Sequence, residues 1–272
     1  DTVDGVLDRL RELEDRLRRS GIATAVRHQR NALSETSVKV LTSPWNGSTP
    51  ARAAMSAVGG GGAFEEYDLA HCHLVGPGTV AVAAHARRNG LPLVVHAHVP
   101  REDFAGSFRG SRAVGPALER YRRWLYSQAG LVLCPGEYTR SVLESYPISA
   151  PIRPITNGVD VESLAGYEAL REPYRRRFDL DGLVVFAVGN VFERKGVDTV
   201  CRLARGSEHQ FVWFGPYDTG PHASSTVRRL VGDPPENVTF TGWIEDIRGA
   251  YAAGDVYLFP TRVENQGIAV LE

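Results

Sequence analysis

With 272 residues and a formal net charge of −1, the chain has room for about two domains and lacks the overall charge that would draw it to nucleic acid. No stretch of roughly 18 consecutive apolar residues occurs, so no transmembrane helix is expected. Three widely spaced cysteines, Cys72, Cys134 and Cys201, read as buried free thiols of a cytoplasmic protein rather than as a disulfide framework or a metal site.

Of 31 basic residues only Lys39 and Lys195 are lysine. Arginine serves wherever charge alone is needed, which makes a retained lysine informative.

In chain order, apolar residues at Val3, Val6, Leu7, Leu10, Leu13 and Leu17 predict an amphipathic helix, and Ile22–Val26 and Val38–Leu41 read as short strands. A loop from 43 to 62 has a weakly helical middle at 51–58 and ends in the glycine run 59–62, read as a flexible connector because no strand feeds it and no Lys-Ser/Thr follows. Strands are expected at Tyr67–His73, Leu91–His98, Leu131–Cys134 and Ile152–Ile155, with helices at Gly76–Ala86 and Glu137–Tyr146. Residues 101–123 are basic, with Phe104, Phe108 and Tyr121 interleaved and Trp124 next. The turn Asn157-Gly-Val-Asp160 closes this part.

The charged stretch 161–181 has no strand and reads as a linker. Beyond it strands at Leu183–Val188, Phe211–Phe214, Val238–Thr241 and Asp255–Phe259 alternate with helices at Gly196–Arg205, Ser225–Val231 and Ile247–Ala253. This pace implies parallel connections. The fold class is therefore α/β, with two Rossmann-like parallel-sheet domains at 1–160 and 182–272. The chain starts without an opening strand and stops one turn into a helix, so a fragment with an incomplete second domain is expected.

Two loops could carry chemistry. After the strand ending at Val188 comes Gly189-Asn-Val-Phe-Glu-Arg-Lys-Gly196, where glycines permit sharp turns and Arg194 and Lys195 stand just before a helix start, suited to a diphosphate. The second follows Pro260: Glu264 and Glu272 bracket a turn, and were the segment between them fully helical they would lie about 12 Å apart. That exceeds the roughly 5–9.5 Å of a glycosidase acid/base pair and suits two grips on one long ligand, with the N–H groups near Gln266, Gly267 and Ile268 turned toward an anion. No metal-ligand cluster is read from the sequence.

Pro260, Glu264, Gly267 and Glu272 resemble the E-x7-E signature of family 4 glycosyltransferases, retaining enzymes of the GT-B fold that use nucleotide sugars. The resemblance implies that Glu264 holds donor-sugar hydroxyls, Glu272 the ribose, Lys195 the diphosphate, and Gly215 and Gly242 the surroundings of the base. Asn190 stands where the family has arginine, which leaves Arg194 as the nearby cation that could replace it. His98, rather than its strand neighbour His96, matches the histidine that faces the donor sugar. His71 and His73 are expected to pack near the cleft. The run His98–Arg109 is similar to members that glucosylate diacylglycerol.

The implied donor is a nucleotide-diphosphate sugar, with no further cofactor, and the acceptor is a sugar or lipid. Arg109, Arg112, Arg120, Arg122 and Arg123 with their aromatic neighbours either lie on an anionic membrane at the inner face of the cell or form a solvated helix face. A nucleotide-sugar 2-epimerase and a non-catalytic nucleotide-sugar binder stay open as rivals.

Overall fold

The computed structural model describes residues 21–40, 67–73, 77–98, 111–220 and 223–272. The expected helix at 3–17, the stretch 51–58, the glycine run 59–62 and the basic segment 101–110, Arg109 included, lie outside them, and the side chain of Arg112 is not described. Contacts divide the described chain into two compact units, the first holding the described residues up to 98 with 116–158 and the second 111–115 with 159–272.

In the first unit β1 (Ala70–Cys72), β2 (Leu93–His96), β3 (Leu131–Cys134) and β4 (Ile152–Pro154) pair in that order, all parallel. They are connected through α2 (Pro77–Arg88), α3 (Ser111–Tyr126) and α4 (Glu137–Glu144). Val95, Val132 and Cys134 of the sheet pack with Leu125, Tyr126 and Leu143 of the helices. Residues 22–26 do not form the expected strand: they belong to α1 (Gly21–Ser34), whose inward residues Ala25 and His28 are three apart, the helical rather than the strand period. The strand expected at 38–41 is also absent among its described residues, 38–40.

In the second unit β5 (Val184–Val188), β6 (Gln210–Phe214), β7 (Val238–Gly242) and β8 (Val256–Tyr257) are parallel in the order β7-β6-β5-β8. Both faces of the central strands β5 and β6 are buried, which is why they read as continuous apolar runs. Ala187, Phe211 and Trp213 face α6 (Val197–Arg205) and α7 (Ser225–Gly232), whereas Val184, Phe186, Val188, Val212 and Phe214 face the other way.

That second face explains why 161–181 is not an open connector. It needs a cover, and α5 (Arg171–Phe178) supplies it together with α8 (Arg248–Ala253): Tyr174 and Leu180 are buried there and Phe178 meets Phe214 edge-on at 5.6 Å. Arg171 and Arg175 donate to the Ala252 and Ala253 carbonyls at the end of α8, at 2.8 and 3.1 Å, and both pair with Asp255. The arginines that look like linker charge therefore fasten a packed helix.

Candidate functional site

The strand order fixes where a ligand belongs in the second unit. From β5 the chain steps outward through β6 to β7 and then returns to place β8 on the other side of β5, so the direction of winding reverses between β5 and β8. Open α/β sheets bind ligands at the carboxyl ends of the strands at such a switch point. The two loops that leave β5 and β8 there are the two singled out above.

They are joined to each other. The Lys195 ammonium pairs with the Glu264 carboxylate and lies 5.6 Å from the Phe259 ring centre. The Arg262 N–H donates to the Arg194 carbonyl at 2.9 Å, the Arg262 guanidinium donates to the Glu193 carbonyl at 2.7 Å, and Arg194 donates to the Val263 carbonyl at 3.3 Å. Gly196 at φ 81° sits where a Cβ would strike the Pro260 carbonyl, so the contact between loops requires glycine.

The other glycines mark the neighbouring strand ends. Trp213 Nε1 donates to the Gly189 carbonyl at 2.7 Å, and that carbonyl lies so close to Gly215, at φ 149°, that no side chain could stand there. The Gly215 N–H donates to the Gly242 carbonyl at 3.1 Å. Gly189, Gly215 and Gly242 thus line the carboxyl ends of β5, β6 and β7, with half-buried Asn190 after the first. Tyr217 and Trp243, exposed large aromatics, follow the other two. The sequence reading missed Tyr217, although its place three residues beyond β6 and beside Gly215 was legible.

The segment leading to Glu272 is helical only in part. Only Ile268–Leu271 (α9) is helical, so the fully helical separation of the two carboxylates does not apply. The Ile268 N–H donates to the Gln266 carbonyl at 3.0 Å. The Tyr251 hydroxyl, also missed, lies 2.8 Å from Glu272 Oε2 and 3.1 Å from the Ala269 carbonyl. Burial, then the Glu272 charge, raises the Tyr251 pKa, so it stays a donor. Burial, then the charges of Glu272 and Glu264, also raises that of Tyr257.

In the first unit His98 and His96 are both buried just where β2 ends, their rings stacked at 4.1 Å. His73 Nδ1 lies 2.9 Å from His98 Nε2. Burial, then the neighbouring imidazoles, lowers His98 to about 2, and burial lowers His96 to about 4, so both are neutral near pH 7. His98 can therefore donate one hydrogen bond and accept one.

The basic face of α3 is smaller than expected. Arg122 is buried, and Arg123 pairs with Glu119 and stacks over Tyr146 at 5.2 Å, whereas Arg120 and Trp124 are exposed. The helix period turns Arg122 inward beside Leu125 and Tyr126.

Residues 5–163 match the family model of Glycosyltransferase Family 4, and residues 182–272 that of Glycosyl transferases group 1. The chain is 28% identical over 262 residues to the processive diacylglycerol alpha-glucosyltransferase of Acholeplasma laidlawii, covering 94% of this chain and 72% of that one. It is 29% identical over 218 residues to the alpha-D-kanosaminyltransferase of Streptomyces kanamyceticus, covering 74% of this chain and 55% of that one. Among solved structures, Anabaena HepE in complex with UDP and glucose superposes with a TM-score of 0.63 at 18% identity, over 89% of this chain and 66% of that one. At that identity the likeness speaks for the fold, and it agrees with the expected α/β class of GT-B type.

Proposed function

Since the chain belongs to glycosyltransferase family 4, whose members transfer sugars, we propose that it moves a hexose from a nucleotide-diphosphate sugar to an acceptor hydroxyl with retention at the anomeric carbon, and that the acceptor is a lipid of the diacylglycerol type. The observation that carries the reading is the Lys195–Glu264 pair at the switch point of the second sheet.

On this reading the Lys195 ammonium, helped by Arg194, neutralises the diphosphate as it departs, where negative charge develops. Glu264 is then the grip on the donor sugar, held in register with Lys195 by their ion pair. Glu272 takes the ribose, its carboxylate oriented by Tyr251. Gly215 and Gly242 leave room for the base beside Tyr217 and Trp243, and Gly189 and Asn190 form the near wall of the phosphate site. Gln266, Gly267 and Ile268 shape the turn between the two carboxylates. His98 is given a sugar hydroxyl by family resemblance. No nucleophile is assigned.

The lipid acceptor is supported by the similarity to the Acholeplasma enzyme. Peripheral contact with an anionic inner leaflet goes with it, through Arg120 and Trp124 of α3 and the basic segment outside the described residues. No helix among the described residues is long and apolar enough to cross a membrane. The direct test is a screen of nucleotide sugars with diacylglycerol presented in mixed micelles, with the configuration of the product read by NMR. An α-glycosyl lipid from an α-linked donor supports the reading. Formation of the sugar's 2-epimer without transfer to any acceptor would replace it with the epimerase.

A further inference from the structure

Neighbouring parallel strands β1 and β2 each deliver two histidines at their carboxyl ends, His71 and His73 from one and His96 and His98 from the other. Alternation puts both members of each pair on the same side of the sheet, and the rings confirm it: His71 lies 4.2 Å from His73 and 5.7 Å from His96, and His73 lies 5.4 Å from His96, centre to centre. One ring nitrogen from each of His71, His73 and His96 falls within 4.8 Å of the others. The family resemblance gives a role to His98 alone, so these three are unassigned.

Two of the ring nitrogens, His71 Nε2 and His96 Nε2, are buried without a hydrogen-bond partner. Such orphans are rare in native proteins and call for an explanation, an unplaced ion among them. We propose that His71, His73 and His96 form a three-imidazole site for a divalent first-row transition ion of the zinc class.

The chemistry of the ligand set points to that class. Imidazole suits zinc, cobalt, nickel and copper, while magnesium and calcium prefer oxygen, and no carboxylate belongs to the group. Ligation requires neutral imidazole, and burial keeps His71, His73 and His96 in that form. A tetrahedral ion with zinc–nitrogen bonds of about 2.05 Å holds its ligand nitrogens about 3.3 Å apart. No pair here would have to close by more than about 1.5 Å, which ring rotation on fixed strands can supply.

Two of the three histidines also have an outer partner in place. Metal-bound histidines hydrogen-bond through the second nitrogen, which fixes tautomer and orientation. His73 Nδ1 has His98 Nε2 at 2.9 Å, and Gln29 Nε2, on α1, lies 3.4 Å from His96 Nδ1, an amide whose oxygen and nitrogen exchange places on a half-turn. With its oxygen presented, that amide would take the Nδ1 proton and leave His96 Nε2 its lone pair.

The test is cobalt(II) titration of chelator-stripped intact protein, followed by visible absorption and thermal melting. The expected result is saturable uptake with the intense bands of a tetrahedral nitrogen site and a raised melting temperature. Both should be lost in His71→Asn and in His96→Asn. Gln29→Leu, which touches only an outer partner on a surface helix, should keep the fold and weaken cobalt about 10- to 100-fold, and it decides the matter if the histidine variants do not fold. Absence of tetrahedral bands, a thiolate charge-transfer band from Cys72, or unchanged affinity in Gln29→Leu with folded histidine variants that still bind would overturn the site.

Discussion

Lys195 and Glu264 form an ion pair across 69 residues of sequence, joining the loop after β5 to the loop after β8. Without donor, the ammonium assigned to the diphosphate is thus occupied by the carboxylate assigned to the sugar. Removing each partner should therefore have different effects on the binding of a bare nucleotide. Lys195→Met should weaken UDP binding by about 10- to 100-fold, the worth of one charge-assisted hydrogen bond of about 1.5–3 kcal/mol. Glu264→Gln should leave UDP binding unchanged or tighter because it frees the ammonium. Calorimetry with UDP measures both, and equal losses in the two variants would show that the pair only supports the fold.

Gly196 meets the Pro260 carbonyl with no space for a Cβ, and does so at φ 81°. Gly196→Ala should cost stability on both counts, about 1–3 kcal/mol for the backbone strain alone, and should lower the donor affinity because it parts the loops that carry Lys195 and Glu264. Urea denaturation beside UDP binding measures the two effects, and a variant with wild-type stability and affinity would refute the close approach.

Asp255 gives the expected pH dependence. Burial on its own raises its carboxyl pKa, but Arg171, the Val184 N–H at 2.8 Å and Arg175 together bring it below the ordinary value of 3.8. A carboxylate with a depressed folded pKa adds stability that is fully present above its unfolded pKa and is lost as pH falls through the folded one. The second unit should therefore lose stability below about pH 4, and Asp255→Asn should lower its neutral-pH stability by roughly 1–3 kcal/mol and flatten that acid limb. Denaturation curves between neutral pH and pH 3 check this.

On α3 the exposed Arg120 and the buried Arg122 separate membrane contact from packing. Arg120→Glu should reduce sedimentation with phosphatidylglycerol vesicles, about 1 kcal/mol for each basic charge near the surface, without changing the melt. Arg122→Ala should lower the melting temperature instead. Vesicle binding unaffected by Arg120→Glu would remove this helix from the membrane contact.

The second sheet was legible almost strand by strand because its central strands β5 and β6 are buried on both faces and its strands are flanked by glycine or proline: expected and observed bounds at β5, β6 and β7 differ by a single residue at one end. At α1 the Ala- and Val-rich start matched a strand, and only the spacing of Ala25 and His28 betrays the helix. The role of 161–181 was hidden because Tyr174, Phe178 and Leu180 are few among many charges, and the need to cover the far face of β5 and β6 is a property of the sheet, not of the segment. At the site, retained Lys195 and the Glu264 spacing were visible, but their pairing required the order β5-β8, which no local pattern encodes. The histidine pairs were seen singly for the same reason: two H-x-H patterns become one cluster only when β1 and β2 are neighbours.

The transfer rate of the intact protein, saturated with nucleotide sugar and lipid acceptor, tests the central claim most directly when Lys195→Met and Glu264→Gln are set against the unaltered chain. If Lys195 neutralises the leaving diphosphate and Glu264 holds the sugar, each substitution should lower the rate by about 100-fold or more while the melts still show folded protein. Rates equal to that of the unaltered chain in both variants would contradict the assignment.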